Sequence, residues 1–288
     1  MKLKRPRKMF AVLPTVLTLG NAVCGFGAIT FISGWTGYDT TTCLFTAACL
    51  IYLAMVFDAL DGTTARLTKQ TSDFGAQLDS LCDAISFGAA PALLMLQFSV
   101  PFGYHPRVMW IAGALYVVCA VLRLARYNVE PTDSTKPRHF IGLPSPAAAA
   151  AVASFPMMVF GPEVMASGER AQRPEEYVLL DTLAKQLLPL VTFAVACLMV
   201  SRFRYMRHFL VRNKRNAKSF IQLLLIVAFI VAIPRIAAPL LACWYAFATP
   251  LYWVWERQIL RRVKPPGVGV LAMPDGGTPT SPEPPSHA

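Results

Sequence analysis

Apolar runs long enough to cross a bilayer follow one another along most of this chain, and nothing else constrains its fold as strongly. Hydropathy marks eight candidate spans, at 14–34, 41–62, 76–99, 108–127, 145–161, 184–201, 218–234 and 236–255. A bilayer core is crossed by about 20 apolar residues of helix, the helix being the form that satisfies its own backbone in hydrocarbon. The expected fold is therefore an all-α membrane protein of about eight transmembrane helices. The fifth run is short and, being rich in alanine, only weakly apolar. Composition agrees with this reading: of 288 residues, 55% are hydrophobic and 15% charged, too apolar for an ordinary soluble domain.

The formal net charge of +11 would suit a nucleic-acid partner, but its distribution argues against one. The basic residues gather between the apolar runs, as membrane anchors do. An even number of spans returns both termini to one side. If that side is cytoplasmic, only Arg107, Arg170, Arg173, Lys185 and Arg235 of the 27 lysines and arginines fall outside, the bias expected of a membrane protein. The start, Met1–Lys8, reads as a retained cytoplasmic tail, since no small-residue cleavage site follows the first run. Seven cysteines lie in apolar stretches without a C-x-x-C pair, so they read as small buried hydrophobes. The expected organisation is a basic tail over 1–13, a catalytic core over 14–161, further spans and a basic loop over 162–264, and a disordered Pro-rich tail over 265–288.

Four acids stand out against this apolar background. Asp58 and Asp61 close the second span; Asp79 and Asp83 open the third. Each pair is one helical turn apart and so projects from one face. An aspartate at mid-bilayer costs about 2.5–3.5 kcal/mol on insertion scales, so four left bare would cost roughly 10–14 kcal/mol. A pair of divalent cations would offset that cost, and all-oxygen ligation selects hard ions, Mg2+ or Mn2+. The bland reading pairs the acids with Arg66 and Lys69 at a membrane surface. It accounts for two acids better than for four at matched spacing. Gly62 and Gly75 let backbone approach a phosphate or metal, Ala65 leaves room beside Asp61, and Arg66 suits phosphate oxygens.

The stretch from Asp58 to Asp83 fits D-x2-D-G-x2-A-R-x8-G-x3-D-x3-D, and in this the chain resembles the CDP-alcohol phosphatidyltransferases at every fixed position. That resemblance implies a membrane enzyme that transfers a phosphatidyl group from a CDP-lipid to an alcohol. By position it implies that Asp58, Asp61 and Asp79 hold metal. It makes Asp83 the base that deprotonates the alcohol, with a share in metal binding. Gly62, Ala65, Arg66 and Gly75 would then attend the CDP-lipid, and the assembly would be a homodimer. The site would lie at the cytoplasmic ends of helices 2 and 3, in the cell (inner) membrane.

Four further stretches narrow the acceptor. P-T-V-L-T-L-G-N-A-V-C-G (14–25), F-D-A-L-D-G-T-T-A-R-L-T (57–68), R-L-A-R-Y-N (123–128) and F-I-G-L-P-S-P-A-A-A (140–149) resemble the integral-membrane phosphatidylserine synthases. One departure is Thr15, where asparagine is expected after the proline. The likeness implies CDP-diacylglycerol and L-serine as substrates, with phosphatidylserine and CMP as products. Arg123, Arg126 and Asn128 are candidates for holding serine, whose carboxylate suits an arginine fork; the plain alternative is that both arginines are membrane anchors. Ser145 has no histidine partner in sight and is not read as a nucleophile. Other readings are the same chemistry on glycerol 3-phosphate or inositol, an archaeal-type lipid donor, or a divalent-cation transporter.

Overall fold

The computed structural model describes residues 9–68, 73–129, 140–161, 175–201, 203–205 and 234–263. Eight α-helices account for most of them: α1 (Met9–Ile32), α2 (Thr40–Thr68), α3 (Asp73–Asp83), α4 (Ala90–Ser99), α5 (Pro106–Val129), α6 (Ser145–Val159), α7 (Glu175–Val200) and α8 (Pro234–Val263). A π-helical segment, Ala84–Ala89, joins α3 to α4, so the third apolar run is one continuous helical rod with a widened turn inside it. The remaining regular structure is a single 3-10 turn at Val100–Phe102 and a two-residue antiparallel pair, β1 (Phe140–Ile141) with β2 (Arg204–Tyr205). Residues up to Pro250 form one compact unit and those from Leu251 a second, whose described part is the end of α8.

Among the described residues, five helical stretches are long and apolar enough to span a membrane: Pro14–Ile32, Thr40–Thr64, Phe74–Ser99, Pro106–Val129 and Val178–Val200. They correspond to the first four expected spans and the sixth. The fifth expected span, 145–161, is a shorter apolar helix of 15 residues. At 1.5 Å per residue it is about 22 Å long, against a hydrocarbon core of about 30 Å. The seventh, 218–234, lies outside the described residues but for Pro234. The eighth, 236–255, falls within α8, which carries Pro239 and Pro250 and is not one of the five. The expected Pro-rich tail, 265–288, also lies outside the described residues, whereas α1 starts at Met9, inside the stretch read as a basic tail.

The helices order themselves by how much they hide. α6 is the innermost: Ala148, Ala149, Ala151, Val152 and Ala153 are all fully buried. Its alanines let neighbouring backbones come close, the usual device of membrane interfaces. α2 and α7 pack along it, and the Tyr52 hydroxyl of α2 donates to the Ala150 carbonyl at 3.0 Å. α1 lies along α2, and α5 along α7. The outer spans turn large apolar side chains outward, among them Val23, Phe26, Val56, Trp110 and Leu122, as lipid-facing surfaces do. At the start of α2, Asp39 caps the helix, accepting from the Thr42 backbone N–H at 2.9 Å and its hydroxyl at 2.6 Å. Those bonds hold the Asp39 carboxyl below its usual range.

Two tight places fix the bundle around its polar centre. Gly142 has φ of 85°. A Cβ there would run into the Met199 carbonyl, so the left-handed turn and the close approach both require glycine. Its N–H donates to Phe203 at 2.8 Å and that of Leu143 to Leu198 at 3.1 Å, which ties the start of α6 to the end of α7. The π segment is the other: the Tyr116 hydroxyl of α5 donates to the Phe87 carbonyl within it at 3.1 Å.

Candidate metal and active site

Asp58 and Asp61 come from the second half of α2, Asp79 and Asp83 from the second half of α3. The fold turns the two pairs toward each other. One carboxylate oxygen from each of Asp58, Asp61 and Asp79 lies within 4.8 Å of the other two. Asp61 is 5% exposed and Asp83 7%. Asp61 Oδ2 and Asp79 Oδ1 are buried with no hydrogen-bond donor. Three converging carboxylates, two of them with unmet oxygens, repel one another in a medium of low dielectric unless a cation lies between them. An all-carboxylate donor set with spare lone pairs fits a hard divalent ion.

Asp83 is held differently. Asn21 of α1 donates from Nδ2 to Asp83 Oδ1 at 2.9 Å, and Asn21 is fully buried. The Asn21 carbonyl in turn accepts from the Ser86 hydroxyl at 2.9 Å. One turn earlier on α1, Thr18 donates to the Pro14 carbonyl at 2.9 Å and lies against the Asp61 carboxylate. Neither Thr18 nor Asn21 was expected from the sequence. The available signal was their spacing: two polar residues one turn apart in an apolar run, which in membrane helices face the bundle interior.

Among the described residues, Arg123 of α5 is a cation that faces this group, interacting with Asp83 and Asp58. Its Nη1 donates to the Ser145 hydroxyl at 2.6 Å, while its Nε is buried without a partner. Arg126 is exposed, and so is Asn128. The Asn128 amide is engaged elsewhere, donating to Ser80 of α3 at 2.9 Å. Of the three residues considered for serine, the structure brings Arg123 to the acids. A Cβ built on Gly62 would meet nothing within 4 Å, so open space adjoins the backbone one residue past Asp61. Gly75 is part-buried near the start of α3. Ala65 and Arg66 continue α2, and their side chains lie outside the described residues.

The family model for CDP-alcohol phosphatidyltransferases matches residues 11–172, more than half of the chain. The chain belongs to the CDP-alcohol phosphatidyltransferase family. Members of this family are generally divalent-cation dependent, and the acidic cluster is where these residues could hold such an ion. Family membership and five apolar helices of spanning length mark an integral membrane protein. The chain is 30% identical over 245 residues to a CDP-diacylglycerol–serine O-phosphatidyltransferase of Helicobacter pylori, covering 85% of this chain and 92% of that protein. It is 37% identical over 160 residues to an archaetidylserine synthase of Methanothermobacter thermautotrophicus, 55% of this chain and 63% of that one. A Mycobacterium tuberculosis CDP-diacylglycerol–serine O-phosphatidyltransferase is 38% identical over 142 residues, 48% and 46% of the two chains.

Proposed function

We propose that this phosphatidyltransferase moves the phosphatidyl group of CDP-diacylglycerol to the hydroxyl of L-serine, giving phosphatidylserine and CMP. The observation that carries the reading is the convergence of Asp58, Asp61 and Asp79, with Asp83 beside them and held by the Asn21 amide. In this reading the first three acids are the ligands of two divalent ions, Mg2+ or Mn2+, and Asp83 lends a share of its carboxylate. Such ions, when bound, would offset the diphosphate charge and the charge that develops on departing CMP.

The chain's own residues do the rest. Asp83 takes the proton of the serine hydroxyl. The freed oxygen attacks the β-phosphorus, the bond from that phosphorus to the CMP oxygen breaks, and CMP leaves with the electron pair. Gly62 and Gly75 allow backbone close to the diphosphate, Ala65 makes room for the nucleotide, and Arg66 meets phosphate oxygens. Arg123 is the residue best suited to the serine carboxylate: one arm is anchored on Ser145, and its Nε is free for a ligand. Arg126 and Asn128 have a weaker claim, Asn128 being engaged with Ser80.

The catalytic core is 14–161, with 162–264 as supporting spans. Both termini and the site face the cytoplasm, as the distribution of basic residues favours, and the assembly is a homodimer with eight spans in each copy. A second reading keeps serine and changes the lipid: the similarity to an archaetidylserine synthase favours an archaeal-type CDP-lipid as donor. The test is CMP release by detergent-purified protein with Mn2+ or Mg2+, each CDP-lipid being offered with serine, glycerol 3-phosphate or inositol. Release with serine alone, lost on chelation, supports the reading. Release with another alcohol alone keeps the chemistry and removes serine; no release with any alcohol sinks the phosphatidyl-transfer reading.

A further inference from the structure

We propose that Asn21 is a positioning residue for Asp83: its amide holds one carboxylate oxygen so that the other is presented to the alcohol. The proposal rests on the reading of Asp83 as the base. It starts from a hydrogen bond between residues 62 apart in sequence, Asn21 Nδ2 to Asp83 Oδ1 at 2.9 Å. Asn21 is 0% exposed and Asp83 7%, so the bond is sealed from water, where a donor to a charged group acts most strongly.

The surroundings argue that the amide serves Asp83 and not the packing of α1. The Asn21 backbone is fixed by a separate contact, the Ser86 hydroxyl donating to its carbonyl at 2.9 Å. Ser86 lies in the π segment that begins immediately after Asp83. Residue 21 is therefore gripped at both its backbone and its side chain by the stretch that carries the acid. Gly25, one turn on, completes the grip, since a Cβ there would stand 2.7 Å from Ser86 Cα. Widened π turns redirect the residues beside them and recur at functional sites. Meanwhile Asn21 Oδ1 is itself buried with no partner. An amide retained to knit a core would have both ends met, because a buried acceptor left bare is destabilising. A fully buried amide touches no substrate, so whatever Asn21 does for the reaction it does through Asp83.

The chemical consequence is a choice between two oxygens. An ionised carboxylate only accepts, and either oxygen could take a proton. With Oδ1 engaged by the Asn21 N–H, Oδ2 is the one left for the alcohol. The proton moves from the hydroxyl to Asp83 Oδ2 as the alcohol oxygen bonds to phosphorus and the bond to CMP breaks. Without the amide, the carboxylate can turn about its χ2 angle and spend time with neither oxygen in line.

Wild type, Asn21→Leu and Asn21→Ser would be purified in detergent. The kcat and the KM for CDP-diacylglycerol and for the alcohol that the wild type uses would be measured, together with the Mn2+ concentration for half-activation. Leucine matches asparagine in size and donates nothing; serine is too short to reach Asp83. The expected result is a fall in kcat of about 10- to 100-fold, the scale of a misplaced reacting group, with both KM values and the Mn2+ requirement unchanged. A folded variant with wild-type kcat would overturn the proposal. So would a raised KM or Mn2+ requirement at unchanged kcat, which would assign Asn21 to the lipid or the metal instead. If neither variant folds, Asn21 is a packing residue and the proposal fails as well. The wild-type arm tests the function separately: its silence with every alcohol removes the phosphatidyl-transfer reading, whereas an active wild type beside unaffected variants removes only the role of Asn21.

Discussion

Asp79 and Asp83 are one turn apart on the same helix, yet their surroundings differ. Asp79 and Asp61 each keep a buried oxygen with no donor, while Asp83 has a donor in Asn21. Oxygens left bare suit cations, and an oxygen held by an amide suits an acid that must keep its orientation. Asp83→Asn preserves shape and removes the proton acceptor. Turnover should fall by about 10²–10⁴-fold, the usual contribution of a general base, while binding of CDP-diacylglycerol persists. Paired assays of CMP release and lipid binding check this, and near-normal turnover would remove Asp83 as the base. Arg123 allows an equally sharp test. Arg123→Lys keeps the charge but loses the fork that reaches Ser145 and leaves Nε free. A charge-assisted bond is worth about 1.5–3 kcal/mol, so the KM for serine should rise about tenfold or more. The KM for CDP-diacylglycerol should stay put; if it rises in step with that for serine, Arg123 belongs to the donor side.

At the scale of elements, the contact between α1 and the π segment joins the acids to the rest of the bundle. Gly25→Ala would push a methyl against Ser86 Cα, a backbone atom that cannot swing away. Overpacking of this kind costs about 1–3 kcal/mol, and here it would also draw Asn21 off Asp83. The expected result is a lower melting temperature and a loss of kcat larger than the stability change explains. Full activity in Gly25→Ala would mean that the contact does not govern the base. These elements also show where sequence reading reached. The spans from 14 to 129 and the one ending at Val200 were legible because lipid demands about 20 apolar residues in a row. α6 was legible only as a doubtful span, since an alanine-rich helix wrapped by others needs no lipid-facing apolar surface. The four aspartates could be placed as one-turn pairs on two neighbouring helices from spacing and hydropathy, but not at helix ends: α2 runs on to Thr68 and α3 continues into the π segment. The π segment could not, because no local pattern encodes it; it shows itself in what touches it, Gly25, Asn21 and Tyr116. The glycine of F-I-G-L-P-S-P was visible as a motif, but its reason, a left-handed turn pressed on the Met199 carbonyl, is tertiary.

For the whole molecule, the acidic cluster makes a statement about stability as well as catalysis. Asp58, Asp61 and Asp79 bring like charges within 4.8 Å in a partly buried place, an arrangement the fold tolerates only at a cost. An ion that binds the folded protein and not the unfolded chain repays part of it, by RT ln(1 + [L]/Kd), or about 2.7 kcal/mol at 100 times Kd. The melting temperature in detergent should therefore climb with Mn2+ or Mg2+ concentration and drop on chelation, with no substrate present. Asp61→Asn should flatten that dependence, because one charged ligand is lost. It should also raise the melting temperature of the metal-free protein, because one repelling charge is gone. The two changes of opposite sign separate a metal site from a surface cluster. A surface cluster would show a shallow response to any salt, and Asp61→Asn would leave it nearly as it was. If divalent ions give no more shift than sodium chloride at equal ionic strength, the three carboxylates are not a metal site, and the case for phosphatidyl transfer through them falls with it.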